Sequence, residues 1–98
     1  SRADLREADF YKANLNHSVL YGANLREAVL SAANLREADL READLYKATL
    51  HKANLFRANL NGADLREAVF IEADLREADL QNTNLSDAVL IRAALSDY

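Results

Sequence analysis

The sequence of 98 residues predicts an all-β solenoid in which the chain turns once in every five-residue repeat. Leu or Phe occupies every fifth position from Leu5 to Leu95, nineteen positions in all. Ala stands two residues before it in seventeen repeats, and Asp or Asn lies between the two in thirteen. Residues 21–40 and 61–80 match at fourteen of twenty positions, a spacing that fits two turns of a four-sided, 20-residue coil and not a 15-residue triangle.

The period of five fits neither of the ordinary elements. On an α-helix five residues advance about 500°, so successive leucines step about 140° and no apolar stripe forms. On a continuous strand an odd spacing sends alternate leucines to opposite faces. All nineteen can face one interior only if the chain bends once per repeat, with Ala and Leu inward and the residue between them outward.

Composition and charge describe a single folded domain over residues 1–98. Hydrophobic residues make up 50% and charged residues 29%, which is typical of a folded chain. The net charge of −4 argues against a nucleic-acid-binding surface. No apolar run exceeds four residues, so we expect no membrane span. Cys is absent, which removes disulfides, and the absence of Met suggests a processed or trimmed chain.

The repeats themselves resemble a known family. The motifs Ala-Asp-Leu and Ala-Asn-Leu, separated by two variable residues as in ADLREADLYKATLHKANLFRANL (residues 38–60), are similar to those of pentapeptide-repeat proteins. The resemblance covers essentially the whole chain. It implies a right-handed quadrilateral β-helix with about five coils of four repeats each. It also implies a family whose members often have unknown function, with a minority that mimic DNA and bind type II topoisomerases.

Residues 20 apart should stack, so each inward position becomes a column. Gly22 and Gly62 fall on equivalent corners two turns apart. Either they adopt positive φ in type II turns, or small residues are merely tolerated there. The predicted interior holds the fifth-position side chains, among them Leu5, Phe10, Leu25, Leu45, Leu50, Leu65, Phe70 and Leu85.

We predict no catalytic residue, no cofactor and no metal site. His17 and His51 fall on different sides of the coil, so they cannot pair at a metal, and no acid stands beside His51 to orient its ring. The columns of carboxylates stand beside columns of arginines, which indicates a mixed-charge surface. Asn14, Asn34 and Asn54 form a column that we expect to hydrogen-bond along the stack.

Two features could bind a partner. The first is the pair of ends, because a solenoid leaves backbone groups unpaired there unless they are capped. The second lies on side two, the second side of each turn, where apolar residues occupy outward positions that elsewhere hold Asp, Asn or Arg. β-branched residues also suit any strand, so both interpretations stay open. The candidate interface residues are Val69, Ile71, Val89, Ile91 and Tyr98.

These observations favour a non-catalytic interaction module. We expect it to form a homo-oligomer, end to end or laterally, and to bind a protein partner, without direct contact to nucleic acid or membrane. Its compartment stays open, with the cytoplasm favoured. The alternative is a DNA mimic that inhibits or protects a type II topoisomerase such as DNA gyrase. The outward charges, which sum to −3, +1, −1 and −1 on sides one to four, give this alternative no strongly acidic face.

Overall fold

The computed structural model describes residues 2–96. Within them the chain forms fifteen isolated parallel β-bridges, with no helix and no strand longer than a single bridge residue. Each bridge joins residues twenty apart, as in Asp4 to Asn24 and Asn24 to Asp44. The twenty-residue period of the sequence is therefore the period of the stacking. We number the layers one to five, for residues 2–20, 21–40, 41–60, 61–80 and 81–96.

Four ladders of bridges run through the layers, because every fifth residue is a bridge residue. The chain measures 35 × 26 × 26 Å along its principal axes. We name the sides by their ladders: side one runs from Asp4 to Asn84, side two from Asp9 to Val89, side three from Asn14 to Ala94 and side four from Val19 to Asp79.

A β-turn separates successive bridge residues. After Leu25, the N–H of Ala28 donates to the Leu25 carbonyl at 3.0 Å, and Glu27 has a φ of 60°. Positive φ recurs at eighteen such positions, of which sixteen are not glycine. Because only the third residue of each turn has positive φ, the turns are of type II. Gly22 and Gly62 do adopt positive φ there, although the turn does not require glycine.

Hydrogen bonds between layers hold these turns in place. The N–H of Leu25 donates to the Asp44 carbonyl at 2.7 Å, and the N–H of Asp44 donates back to Ala23 at 2.9 Å. The N–H of Glu27 donates to the Tyr46 carbonyl at 2.8 Å. A left-handed conformation costs a non-glycine residue about 1–2 kcal/mol, and the last of these bonds helps to offset that cost at the turn itself.

The interior is closed in the middle layers and thinner at the ends. From Ala23 to Leu75 every inward side chain is at most 2% exposed. No polar residue of 2–96 is buried as a whole, although the Oγ atom of Ser18 is buried without a hydrogen-bond partner. Leu5 and Phe10 are only half-buried, because layer one is covered on one face alone. Leu85, expected in the interior, is 36% exposed for the same reason in layer five. The fully buried residues include Leu25, Leu45, Leu50, Leu65 and Phe70.

Candidate interaction surface

The outward residue of most repeats caps the turn that follows it. The side-chain oxygen of Asn34 accepts a hydrogen bond from the backbone N–H of Arg36 at 3.1 Å. All thirteen Asp and Asn residues at this position make the equivalent bond, over 3.0–3.3 Å. This Asx turn satisfies a backbone donor that no carbonyl of residues 2–96 reaches.

The expectation that the asparagine column hydrogen-bonds along the stack is wrong. The side chains of Asn14, Asn34 and Asn54 do not bond along the stack; each accepts the N–H two residues on, which for Asn54 is that of Phe56 at 3.0 Å. The bond is local because the side-chain oxygen reaches this N–H without leaving its own turn. The column therefore stabilises turns and does not join layers.

The uncapped repeats are concentrated on one side. Six bridge positions lack Asp or Asn, and four of these six stack on side two in layers two to five. The N–H groups two residues after these four have no acceptor among residues 2–96. Because caps elsewhere approach from outside, these N–H groups point outward beside side two. The uncapped positions of side two are Val29, Thr49, Val69 and Val89, and the open N–H groups belong to Ser31, His51, Ile71 and Ile91.

The same side presents an aliphatic surface. Val69 and Val89 are joined by a bridge, and the N–H of Glu72 donates to the Ile91 carbonyl at 2.9 Å, so Ile71 and Ile91 lie in adjacent layers. Ile91 is 59% exposed, and the other members are half-buried. Four of the five candidate interface residues thus lie together, whereas Tyr98 lies outside the described residues. We call the following set the aliphatic face: Val29, Thr49, Val69, Ile71, Val89 and Ile91.

The other sides carry ion pairs at the corresponding positions. Arg66 donates from Nε and Nη2 to the Asp64 carboxylate at 2.9 and 2.7 Å, which is a bidentate geometry. The hydrogen bonds from Arg66 and Arg76 hold the pKa of Asp64 and Asp74 below their ordinary value. Among the described residues, no bridge position of side two takes part in such a pair. Side two is therefore the side whose described bridge residues form no ion pair.

Arginines also clamp two aromatic rings of layer three. The guanidinium groups of Arg26 and Arg66, one layer below and one above, lie 4.8 and 5.0 Å from the centre of the Tyr46 ring. Phe56 is held in the same way at another corner, by arginines at 5.0 and 5.5 Å. Each exposed cation–π contact is worth about 0.5–1 kcal/mol. These contacts tie layers two, three and four together at two corners, one just before side two at Tyr46 and the other between sides three and four at Phe56.

A column of carboxylates without partners borders the aliphatic face. Each occupies the third turn position at the corner just before side two. Within residues 2–96, every other carboxylate has a basic side chain or a hydrogen-bond donor beside it, and for Glu37 that neighbour is His17, which is charged only when protonated. The four that have neither are Glu7, Glu27, Glu67 and Asp87.

Chemistry-bearing residues do not converge elsewhere. His17 Nε2 lies 3.8 Å from a Glu37 oxygen, and His51 stands apart in layer three. In the part of the chain that the structure describes, no three His, Cys, Asp or Glu residues are placed to hold a metal ion. An open depression of about 250 Å³ on the surface is lined by Arg6, Glu7, Arg26, Glu27 and Tyr46.

Comparison with known proteins identifies the repeat. The chain matches the family described as pentapeptide repeats in eight copies, over residues 1–26, 23–62 and 53–92. The chain belongs to the pentapeptide repeat family. No curated protein matches it significantly.

Solved pentapeptide repeat structures are similar to this one. A pentapeptide repeat protein from Nostoc PCC 7120, alr5209, is 33% identical with a TM-score of 0.60, over 99% of this chain and 78% of that one. Rfr23 from Cyanothece 51142 is also 33% identical, with a TM-score of 0.50, over 92% of this chain and 65% of its own length. QnrB1, a plasmid-mediated fluoroquinolone resistance protein, is 19% identical with a TM-score of 0.70, over 90% of this chain and 50% of that one. The last likeness shows the fold alone.

Sequence reasoning located the aliphatic face of this pentapeptide repeat chain but missed what borders it. The loss of Asp and Asn at four stacked positions was visible as a pattern, yet the open N–H groups follow only once the caps are known. The unpaired carboxylates could be identified only from the distances between charged side chains in the structure. The described residues contain no helix long and apolar enough to cross a membrane.

Proposed function

We propose that this pentapeptide repeat chain is a non-catalytic interaction module that associates with itself through the aliphatic face. The observation that carries the proposal is the concentration of uncapped repeats on side two, in four consecutive layers. Each missing cap forgoes a hydrogen bond worth about 0.5–1.5 kcal/mol. A side that gives up four such bonds for half-buried valine and threonine, beside the exposed Ile91, serves a purpose other than the stability of a single copy.

Strand preference alone does not account for the pattern. β-branched residues suit a bridge position on any side, because the backbone is the same on all four. Yet side one has no uncapped repeat, side three has only Ala94, and side four has only Val19. The bias toward one side therefore supports an interface.

The size of the face indicates a weak complex. Four layers at about 4.8 Å each give a height of about 19 Å, and the width is below the 26 Å extent of the chain. Such a face buries roughly 400–500 Å² per copy, less than the ~800 Å² per partner of a stable complex. We expect association that depends on concentration, and the same face would also accept an aliphatic surface of another protein.

Restoring two caps tests the interface without weakening the repeat. The double variant Val69→Asn/Val89→Asn removes aliphatic surface and supplies two Asx turns. Its self-association should weaken at least tenfold by sedimentation equilibrium, while its melting temperature stays equal or rises. Val19→Asn makes the same change on side four and should leave association unchanged. If the double variant associates as the wild type does, assembly through stacked ends or another side replaces this proposal.

The topoisomerase alternative draws on weaker support. The likeness to QnrB1 concerns the fold, and the outward aspartates that a DNA mimic would use are neutralised by arginines, as in Asp39 with Arg41 at 2.7 Å. The four unpaired carboxylates form the one acidic column. We expect no inhibition of gyrase supercoiling by the chain at micromolar concentration, and inhibition that disappears in Glu27→Ala/Glu67→Ala would revive the alternative.

We infer further that the layers wind as a right-handed, four-sided coil. The four bridge ladders and the membership of the pentapeptide repeat family support this winding, and an experimental structure would test its hand.

A further inference from the structure

We propose that a second copy of the chain caps the open turns of side two in trans. The N–H groups of Ile71 and Ile91, and that of Ser31, would donate to carboxylates of the partner, namely the partner's Glu67, the partner's Asp87 and the partner's Glu27. This inference rests on the proposed self-association through the aliphatic face and specifies its geometry.

The first argument is complementarity between two sets of groups that lack partners. Side two has outward N–H donors that no group of residues 2–96 accepts. The carboxylates of Glu7, Glu27, Glu67 and Asp87 are the described acids without an ion pair or a hydrogen bond. An N–H group left without a partner in an interface loses its hydrogen bonds to water and gains none in return. A dimer that buries the aliphatic face must therefore supply acceptors, and these carboxylates are available.

The second argument is position. The chain enters side two at the corner that carries Glu67 and leaves it at the corner that carries Ile71. A two-fold axis parallel to the stack places two such sides face to face, with the Val69 ladders opposed and the strand directions reversed. The exit corner of one copy then faces the entry corner of the other in the same layer. Ile71 thereby meets the partner's Glu67, and the symmetry repeats each contact.

The third argument is charge. Side two is the one side whose outward charges sum to a positive value, and the carboxylate column lies at its border. In the two-fold arrangement Lys12 faces the partner's Glu7, and Arg92 faces the partner's Asp87. Layers three and four are exceptions. In layer three Lys47 replaces the acid and would face His51 and Lys52, and in layer four Glu72, which pairs with Arg92 at 3.7 Å, would face the partner's Glu67. The charges therefore favour the arrangement in layers one and five, oppose it in layers three and four, and are neutral in layer two, where Ala32 carries no charge.

Removing the proposed acceptors tests the contact. Glu67→Ala/Asp87→Ala deletes two carboxylates that bond to nothing described within a single copy, so its melting temperature should not change. Its dimer should dissociate at least tenfold more readily in sedimentation equilibrium. Glu37→Ala/Glu77→Ala removes the same charge at the same turn position on another corner, and should leave the dimerisation constant within twofold of the wild type.

Amide hydrogen exchange measured by NMR separates this inference from the proposed function. The Ile71 and Ile91 amides should exchange quickly in dilute protein and become protected as concentration rises. The Tyr21 amide, which is also uncapped but lies beyond side four, should stay fast throughout. A dimer that forms through the aliphatic face while these two amides keep their exchange rates would overturn trans capping alone. A chain that stays monomeric at millimolar concentration would overturn both proposals.

Discussion

Side one and side two of this pentapeptide repeat chain share one backbone and one interior, yet they treat the same turn differently. On side one every bridge position is Asp or Asn, and each caps its turn. On side two only Asp9 does so, and four valine or threonine residues follow it along the ladder. The comparison shows that the fold requires the inward Ala and Leu, whereas the outward bridge residue can vary.

The largest loss of stability should come from disrupting the interior, which the two sides share. Ala48 is fully buried between layers, and Ala48→Leu would force a larger side chain into a filled interior. We expect a loss of about 3 kcal/mol or more, or a chain that does not fold, measured by urea unfolding. Thr49→Leu adds volume at the adjacent outward position and should cost less than about 1 kcal/mol; equal losses in the two variants would contradict the assignment of inside and outside.

An intermediate loss of stability should come from replacing a capping residue on another side with the valine that is typical of side two. Asn54→Val removes the hydrogen bond to the Phe56 N–H and leaves that donor open, as on side two. We expect the free energy of unfolding to fall by about 1 kcal/mol, through the lost bond. Asn54→Asp keeps an acceptor and should stay close to the wild type. If Asn54→Val were as stable as the wild type, the caps would carry no stability and the cost assigned to side two would be wrong.

The smallest loss of stability should come from removing an ion pair of the kind that the bridge residues of side two do not form. The pKa of Asp64 lies below that of an unfolded chain, so its pair with Arg66 stabilises the fold above the ordinary Asp range. That contribution is lost as pH falls from about 4 through the lowered pKa. The pair is exposed enough that we expect only a few tenths of a kcal/mol.

Arg66→Gln should therefore flatten the fall in melting temperature between neutral pH and pH 2. Lys52→Gln makes the same charge change at a corner of side two, where Lys52 forms no ion pair with the described residues, and should leave the slope of the wild type. Equal slopes in all three proteins would show that the Asp64–Arg66 pair contributes nothing to acid sensitivity.

The sequence predicted the features that recur in every repeat, above all the inward side chains. It missed the features that depend on distances between side chains in the folded chain. A strict five-residue period fixes the interior, because only one face of each short segment can accept leucine. The exposure of Leu85 follows from its place in an outer layer, which the repeat pattern does not encode. The direction of the Asn54 bond depends on a distance within one turn. The unpaired state of Glu67 became visible only when the partners of the other acids were known.

The most direct test of the central claim is the molar mass of the wild-type chain in solution, measured by light scattering over a wide range of concentrations. If the aliphatic face joins two copies, the mass should rise from 10.9 kDa toward twice that value as concentration increases. A mass that stays at 10.9 kDa up to millimolar concentration would contradict self-association through side two.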